Sequence, residues 1–164
     1  MRCPSLTHNS KQPARQQGAA IVEFALVLTL LITLMAGIFE FGRAFWYYDT
    51  LVKATRDGAR FMSVADNTSI ETSVGLAKTQ VFNAVNAAGV PDFELTNVDI
   101  TCFNAALTAT VGCTNSTVIG GVTVQITAYE MTIGQFIPFL IGASSNYSAT
   151  LSPHTTMRYM PEVL

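Results

Sequence analysis

The sequence predicts an α+β protein: a long N-terminal transmembrane α-helix, then a small domain with a helix packed on an antiparallel sheet. Three observations predict it. Ala19–Phe39 is an apolar run of 21 residues broken by one charge, Glu23. Apolar residues recur at three and four between Ile70 and Ala88. Beyond Phe93 several short stretches alternate apolar and polar residues, the pattern of half-buried strands.

The first run sets the class. At 1.5 Å per residue it spans about 31 Å, matching the ~30 Å hydrocarbon core of a bilayer. It is apolar all round, so no face is left for water. The whole chain of 164 residues is only 12% charged, against roughly 25% in soluble domains. A net charge of −2 leaves no basic footprint for nucleic acid. His8 and His154 have no partner at metal-ligand spacing, so neither a metal nor another cofactor is expected.

The eighteen residues before the run, MRCPSLTHNSKQPARQQG, are of a different kind. They carry Arg2, Lys11 and Arg15 and no acid, and Pro4 and Pro13 disfavour helix. They read as an unstructured, basic cytoplasmic leader. A secretory signal would carry a small-residue cleavage site after the apolar core, and none follows Phe39. Lys and Arg flank the span on both sides, with Arg43, Lys53, Arg56 and Arg60 after it, so their count does not set the orientation. The short leader and a domain with a candidate disulfide place the N-terminus inside.

The leader meets the helix in the string Gly18-Ala-Ala-Ile-Val-Glu23-Phe24. Gly18 has no side chain, so a membrane protease can hold its backbone extended in a tight site. Cleavage there leaves a positive amino terminus on Ala19. Glu23 then lies about one turn deeper, where an ionised carboxylate calls for a partner. The bland reading is an interfacial carboxylate beside a chance glycine.

This boundary resembles the processing site of type IV prepilins, and more closely that of the Tad/Flp (tight adherence) branch, with Phe24 where Tyr is common. The likeness continues through Gly37, Glu40, Phe41, Gly42 and Arg43, then Ala54, Arg56, Gly58, Ala59 and Arg60. Throughout this stretch the chain is similar to TadE-like proteins, and Thr155–Glu162 is similar to that family's closing strand. The resemblance implies a minor pseudopilin that acts in assembling, priming or stabilising an adhesive pilus. It also implies prepilin peptidase, other pilins and pseudopilins, the inner-membrane assembly platform and the lipid bilayer as partners.

Past the span the helix is expected to continue to about Met62. Glu40 with Arg43 and Asp49 with Lys53 have the spacings of ion pairs on an exposed helix. Trp46, Tyr47 and Tyr48 suit either the membrane edge or the domain's own core. Gly58 weakens a helix by about 1 kcal/mol relative to Ala, and a close helix contact is a reason to keep it. The second helix carries the stripe Ile70, Val74, Ala77, Val81, Val85 and Ala88, with Thr68-x-x-Glu71 as a capping box and Gly89 then Pro91 as a stop.

Three strands are predicted: Phe93–Phe103 with a bulge near Asn97, Val122–Tyr129, and Tyr147–Tyr159 with Pro153 at an edge or a bend. Cys102 and Cys113 bracket ten residues, a loop suited to a disulfide in an oxidising compartment, two reduced core cysteines being the alternative. Cys3 would leave with the leader. The apolar run Ile133–Ile141 is expected to pack as core, or else to dock a partner or the outer leaflet. The triplets at Asn67, Asn115 and Asn146 read as chance.

The expected division is a leader at 1–18, a long helix at 19–63 and an exported α+β domain at 64–164. No nucleophile elbow, HExxH or phosphate-cradling loop is present, and His154 lacks a nucleophile and an orienting acid in sequence, so no enzyme is expected. A pilus-tip adhesin or binding module and an uncleaved, TadG-like bitopic anchor are the competing readings.

Overall fold

The computed structural model describes residues 16–115, 117–134 and 147–160. The leader up to residue 15 with Cys3 and His8, most of the apolar run 133–141, Asn146 and the terminal 161–164 lie outside the described residues. Two compact units are distinguished, one ending at Ile38 and one beginning at Phe39. The chain forms α1 (Gln16–Ser63), α2 (Ile70–Ala87), β1 (Val98–Asn104), β2 (Thr110–Val111), β3 (Ile119–Ile126), β4 (Tyr129–Ile133), β5 (Tyr147–Leu151) and β6 (His154–Arg158). The fold class is the α+β arrangement the sequence predicts.

In the first unit, described from Gln16, α1 is long and apolar enough to cross a membrane. Leu26, Leu30, Leu34 and Ile38 are all more than half exposed. Thr29 and Thr33 donate their hydroxyls to the carbonyls of Ala25 and Thr29, both at 2.8 Å, so neither leaves an unmet donor on an apolar surface.

In the second unit the sheet runs in the order β2-β1-β3-β6, every pair antiparallel. Register places Ile100 opposite Val124 and Cys102 opposite Val122, so one face is apolar and packs against α2 and the later turns of α1. Leu51, Met62, Ile70, Val85, Val124 and Ile126 are fully buried there, each stabilising the domain by about 1.5–3 kcal/mol. On the opposite face Thr123 and Thr156 share a hydroxyl hydrogen bond of 2.6 Å, and Gln125 donates to Asp99 at 2.9 Å.

Helix α2 keeps the predicted stripe at Ile70, Ala77, Val81 and Val85; Ser73 is buried as well, while Val74 and the C-cap residue Ala88 are only half-buried. The predicted capping box does not form. Asp66 instead accepts the Thr68 N–H at 2.9 Å and starts a 3-10 turn over Asn67–Ser69, while the Glu71 N–H donates to the Asn115 side chain at 3.2 Å. A local Asx turn has captured the backbone that the box required. The C-terminal stop is as predicted: Gly89, at φ +74°, donates to Asn86 O and Val90 to Val85 O, closing a Schellman motif.

Three strand expectations are corrected. The irregularity near Asn97 is a 3-10 turn over Leu95–Asn97, held by reciprocal bonds between Glu94 and Asn97; the bulge lies between Phe103 and Asn104. The strand through Val122 ends at Ile126, because Ala128 takes φ +54° and Tyr129 opens β4. Tyr147–Tyr159 is likewise two strands, broken at Ser152-Pro153, with the Pro153 carbonyl accepting from Ile126. Facing breaks turn one long antiparallel ribbon into two sheets, Gln125 pairing with His154 on one side and Tyr129 with Leu151 on the other.

Candidate functional site

The boundary residues come first. Gly18, Ala19, Glu23 and Phe24 are all exposed on α1, and a side chain at Gly18 would meet nothing within 4 Å. The Gly18–Ala19 bond lies within α1, which is described from Gln16.

The second group lies where α1 enters the second unit. Glu40 is 5% exposed and its carboxylate accepts from Arg43 at 2.7 Å. Arg43 also donates to the Thr132 carbonyl of β4 at 2.9 Å and stands 5.8 Å from the centre of the Tyr47 ring. The sequence led us to expect an exposed pair; the pair is buried because 40, 43, 44, 47, 51 and 54 form one helical face that packs on the domain. Asp49 and Lys53 do form the exposed pair, at 2.6 Å.

Arg43, Tyr47, Asp92, Tyr129 and Glu130 border a small polar cavity of about 70 Å³. Tyr129 is 2% exposed and donates its hydroxyl to the Pro91 carbonyl at 3.0 Å. Burial first, then Tyr47 and Asp92, push its pKa up to about 12, against a smaller opposing effect of Arg43. Nothing local in the sequence signals this cavity, since its walls come from α1, the turn after α2, and β4. The stripe containing Glu40 and Arg43 was legible, had spacing been weighed above charge.

The third group is split by the fold. Ala54, Gly58 and Ala59 are buried, whereas Arg56 and Arg60 are exposed. A Cβ on Gly58 would stand 2.6 Å from Val81 Cγ2, so α1 and α2 approach closely there. Gly37, Phe41 and Gly42 are exposed, with open space around both glycines. The aromatic triplet divides: Tyr47 packs on the domain core, while Trp46 and Tyr48 stay 60% and 46% exposed.

Cys102 and Cys113 form a disulfide, Cα to Cα 5.4 Å, tying β1 to the end of the β2 hairpin. The closing residues after β6 pin the end of α1: the Tyr159 hydroxyl donates to Ala65 O at 2.6 Å and the Met160 N–H to Ser63 O at 2.8 Å. Burial is the main cause of a raised Tyr159 pKa. Among the described residues no group of three or more His, Cys, Asp and Glu is placed to hold a metal ion.

The class of molecule is thus an apolar N-terminal helix, long enough to serve as a membrane anchor, that runs on into the core of a disulfide-linked α+β domain. Residues 18–60 match the family described as TadE-like protein, which points to a protein associated with Tad pili. No curated protein and no solved structure matches the chain.

Proposed function

We propose that the chain is a minor pseudopilin of a Tad/Flp pilus, cut by prepilin peptidase between Gly18 and Ala19. The observation that carries this reading is where the family match begins, at Gly18, the last residue of the basic leader. The mature helix is held in the inner membrane with its N-terminus cytoplasmic and its domain periplasmic, a compartment that suits the Cys102–Cys113 disulfide. Glu23 meets a positive terminus of its own or a neighbouring subunit, and the domain makes specific contacts with other pilins, pseudopilins and the assembly platform. The role is non-catalytic: initiating, priming or stabilising an adhesive fibre.

Intact mass and N-terminal sequencing, with and without the cognate peptidase, test this. A chain starting at Ala19, lost on Gly18→Leu, supports it. An unprocessed chain in cells whose peptidase cleaves the major pilin overturns it and leaves an uncleaved anchor.

A further inference from the structure

We propose that the outward flank of α1 at Phe41, Phe45, Trp46 and Tyr48 rests among lipid headgroups, carrying the membrane contact of the helix past Phe39 and seating the domain on the bilayer. This inference rests on the reading of α1 as a membrane anchor.

The four rings are 73%, 66%, 60% and 46% exposed. Phe41, Phe45 and Tyr48 follow at four and three and share one stripe; Trp46 stands beside it. The opposite side of the same turns, Glu40, Arg43, Ala44 and Tyr47, is turned onto the domain. Hence, among the described residues, the aromatic flank is the side of these turns left uncovered.

Charge placement identifies what covers it. Between Phe24 and Tyr48 the sequence has two charges, Glu40 and Arg43. Their side chains are 6% and 16% exposed and bonded to each other, and Arg43 is bonded to β4 as well. The outward surface of α1 is therefore without prominent charge from Phe24 to Tyr48, about 36 Å at 1.5 Å per residue. That exceeds the ~30 Å hydrocarbon core by several ångströms and reaches into the headgroup layer.

The order along the axis is equally specific. Aliphatic residues give way to phenylalanines, then to a tryptophan and a tyrosine with polar tips, then to Asp49, Lys53, Arg56 and Arg60. Hydrocarbon, interface and water call for that order. A partner helix lying along this flank would favour an apolar stripe continuing beyond Tyr48, where the outward residues are charged instead.

Trp46 is the sole tryptophan in the chain and reports on the flank directly. The full chain is reconstituted into phosphatidylethanolamine–phosphatidylglycerol nanodiscs, and Trp46 emission is quenched by aqueous iodide or by lipids brominated at shallow or deep acyl positions. A Trp46→Phe, Arg60→Trp double variant serves as the water-exposed reference. The expected result is about twofold stronger quenching by shallow than by deep bromines, with iodide several-fold weaker than on the reference. Iodide quenching equal to the reference, without lipid quenching, overturns the proposal. So does shielding from both quenchers, which would mean cover by protein. Release of the chain from native membranes by alkaline carbonate is the separate result that removes the anchor itself.

Discussion

Gly58 of α1 faces Val81 of α2 so closely that a Cβ at position 58 would stand 2.6 Å from Val81 Cγ2, with Val124 next at 3.5 Å. Two effects of opposite sign meet here. Gly58→Ala gains about 1 kcal/mol of helix propensity, while overpacking a filled core costs about 1–3 kcal/mol. Valine cannot swing its methyl aside without leaving its preferred rotamer, so the clash prevails. Gly58→Ala is expected to lower domain stability by about 1 kcal/mol and Gly58→Leu by more. Val81→Ala in the Gly58→Ala background should lower stability by less than the sum of the two single changes. Denaturant unfolding of the full chain in micelles, arranged as a double-mutant cycle, checks this.

Glu40 and Arg43 form a second, asymmetric case. Arg43→Met removes the cation bonded to the buried Glu40 carboxylate and is expected to cost about 3 kcal/mol. Replacing both, Glu40→Leu with Arg43→Met, removes the buried carboxylate together with its cation and should recover much of that loss, short of the bond to the Thr132 carbonyl. A double variant no more stable than Arg43→Met alone would mean that packing around Arg43, rather than the ion pair, holds this end of the domain. The same unfolding measurement decides.

Reducing Cys102–Cys113 releases a loop spanning a sequence separation of 11. Chain entropy alone puts the loss at about 3 kcal/mol. Unfolding of wild type with reductant and of Cys102→Ala, Cys113→Ala without it should agree with each other and fall below the oxidised protein. Thiol titration of the unfolded chain reads the oxidation state independently.

Tyr129 gives the domain an alkaline limit. Its folded pKa of about 12 lies above its ordinary 10.0, so the folded state keeps a proton that the unfolded chain loses. Stability from this group is complete below pH 10 and falls as pH rises towards 12, by on the order of 2 kcal/mol. Tyr129→Phe should flatten that slope and lower stability at neutral pH by about 1 kcal/mol through loss of the bond to Pro91. Tyr159, shifted in the same direction, contributes to the alkaline slope that survives. Unfolding midpoints from pH 8 to 12 measure both.

The sequence was most legible where one local rule acted unopposed. The Gly89 stop follows from a left-handed residue closing a helix, and the buried run of α2 follows from its spacing. It misled where two local rules competed for the same atoms. Thr68 and Glu71 match a capping box, yet Asp66 reaches the Thr68 N–H first. The alternation from Val122 to Tyr129 contains no breaker, and the break comes from Ala128 at φ +54°, opposite the break at Ser152-Pro153 in the other strand.

By itself, then, the sequence determined the apolar helix and the α+β class, because each depends on composition or periodicity within one stretch of chain. Only the tertiary structure decided which face of α1 is covered. Glu40 and Arg43 look like solvated surface charges until Thr132, 89 residues beyond Arg43, closes over them. Tyr47 and Trp46 are neighbours in sequence, and the domain takes one and leaves the other outside. Burial is set by what lies opposite a residue in space, and at Arg43 what lies opposite comes from far along the chain.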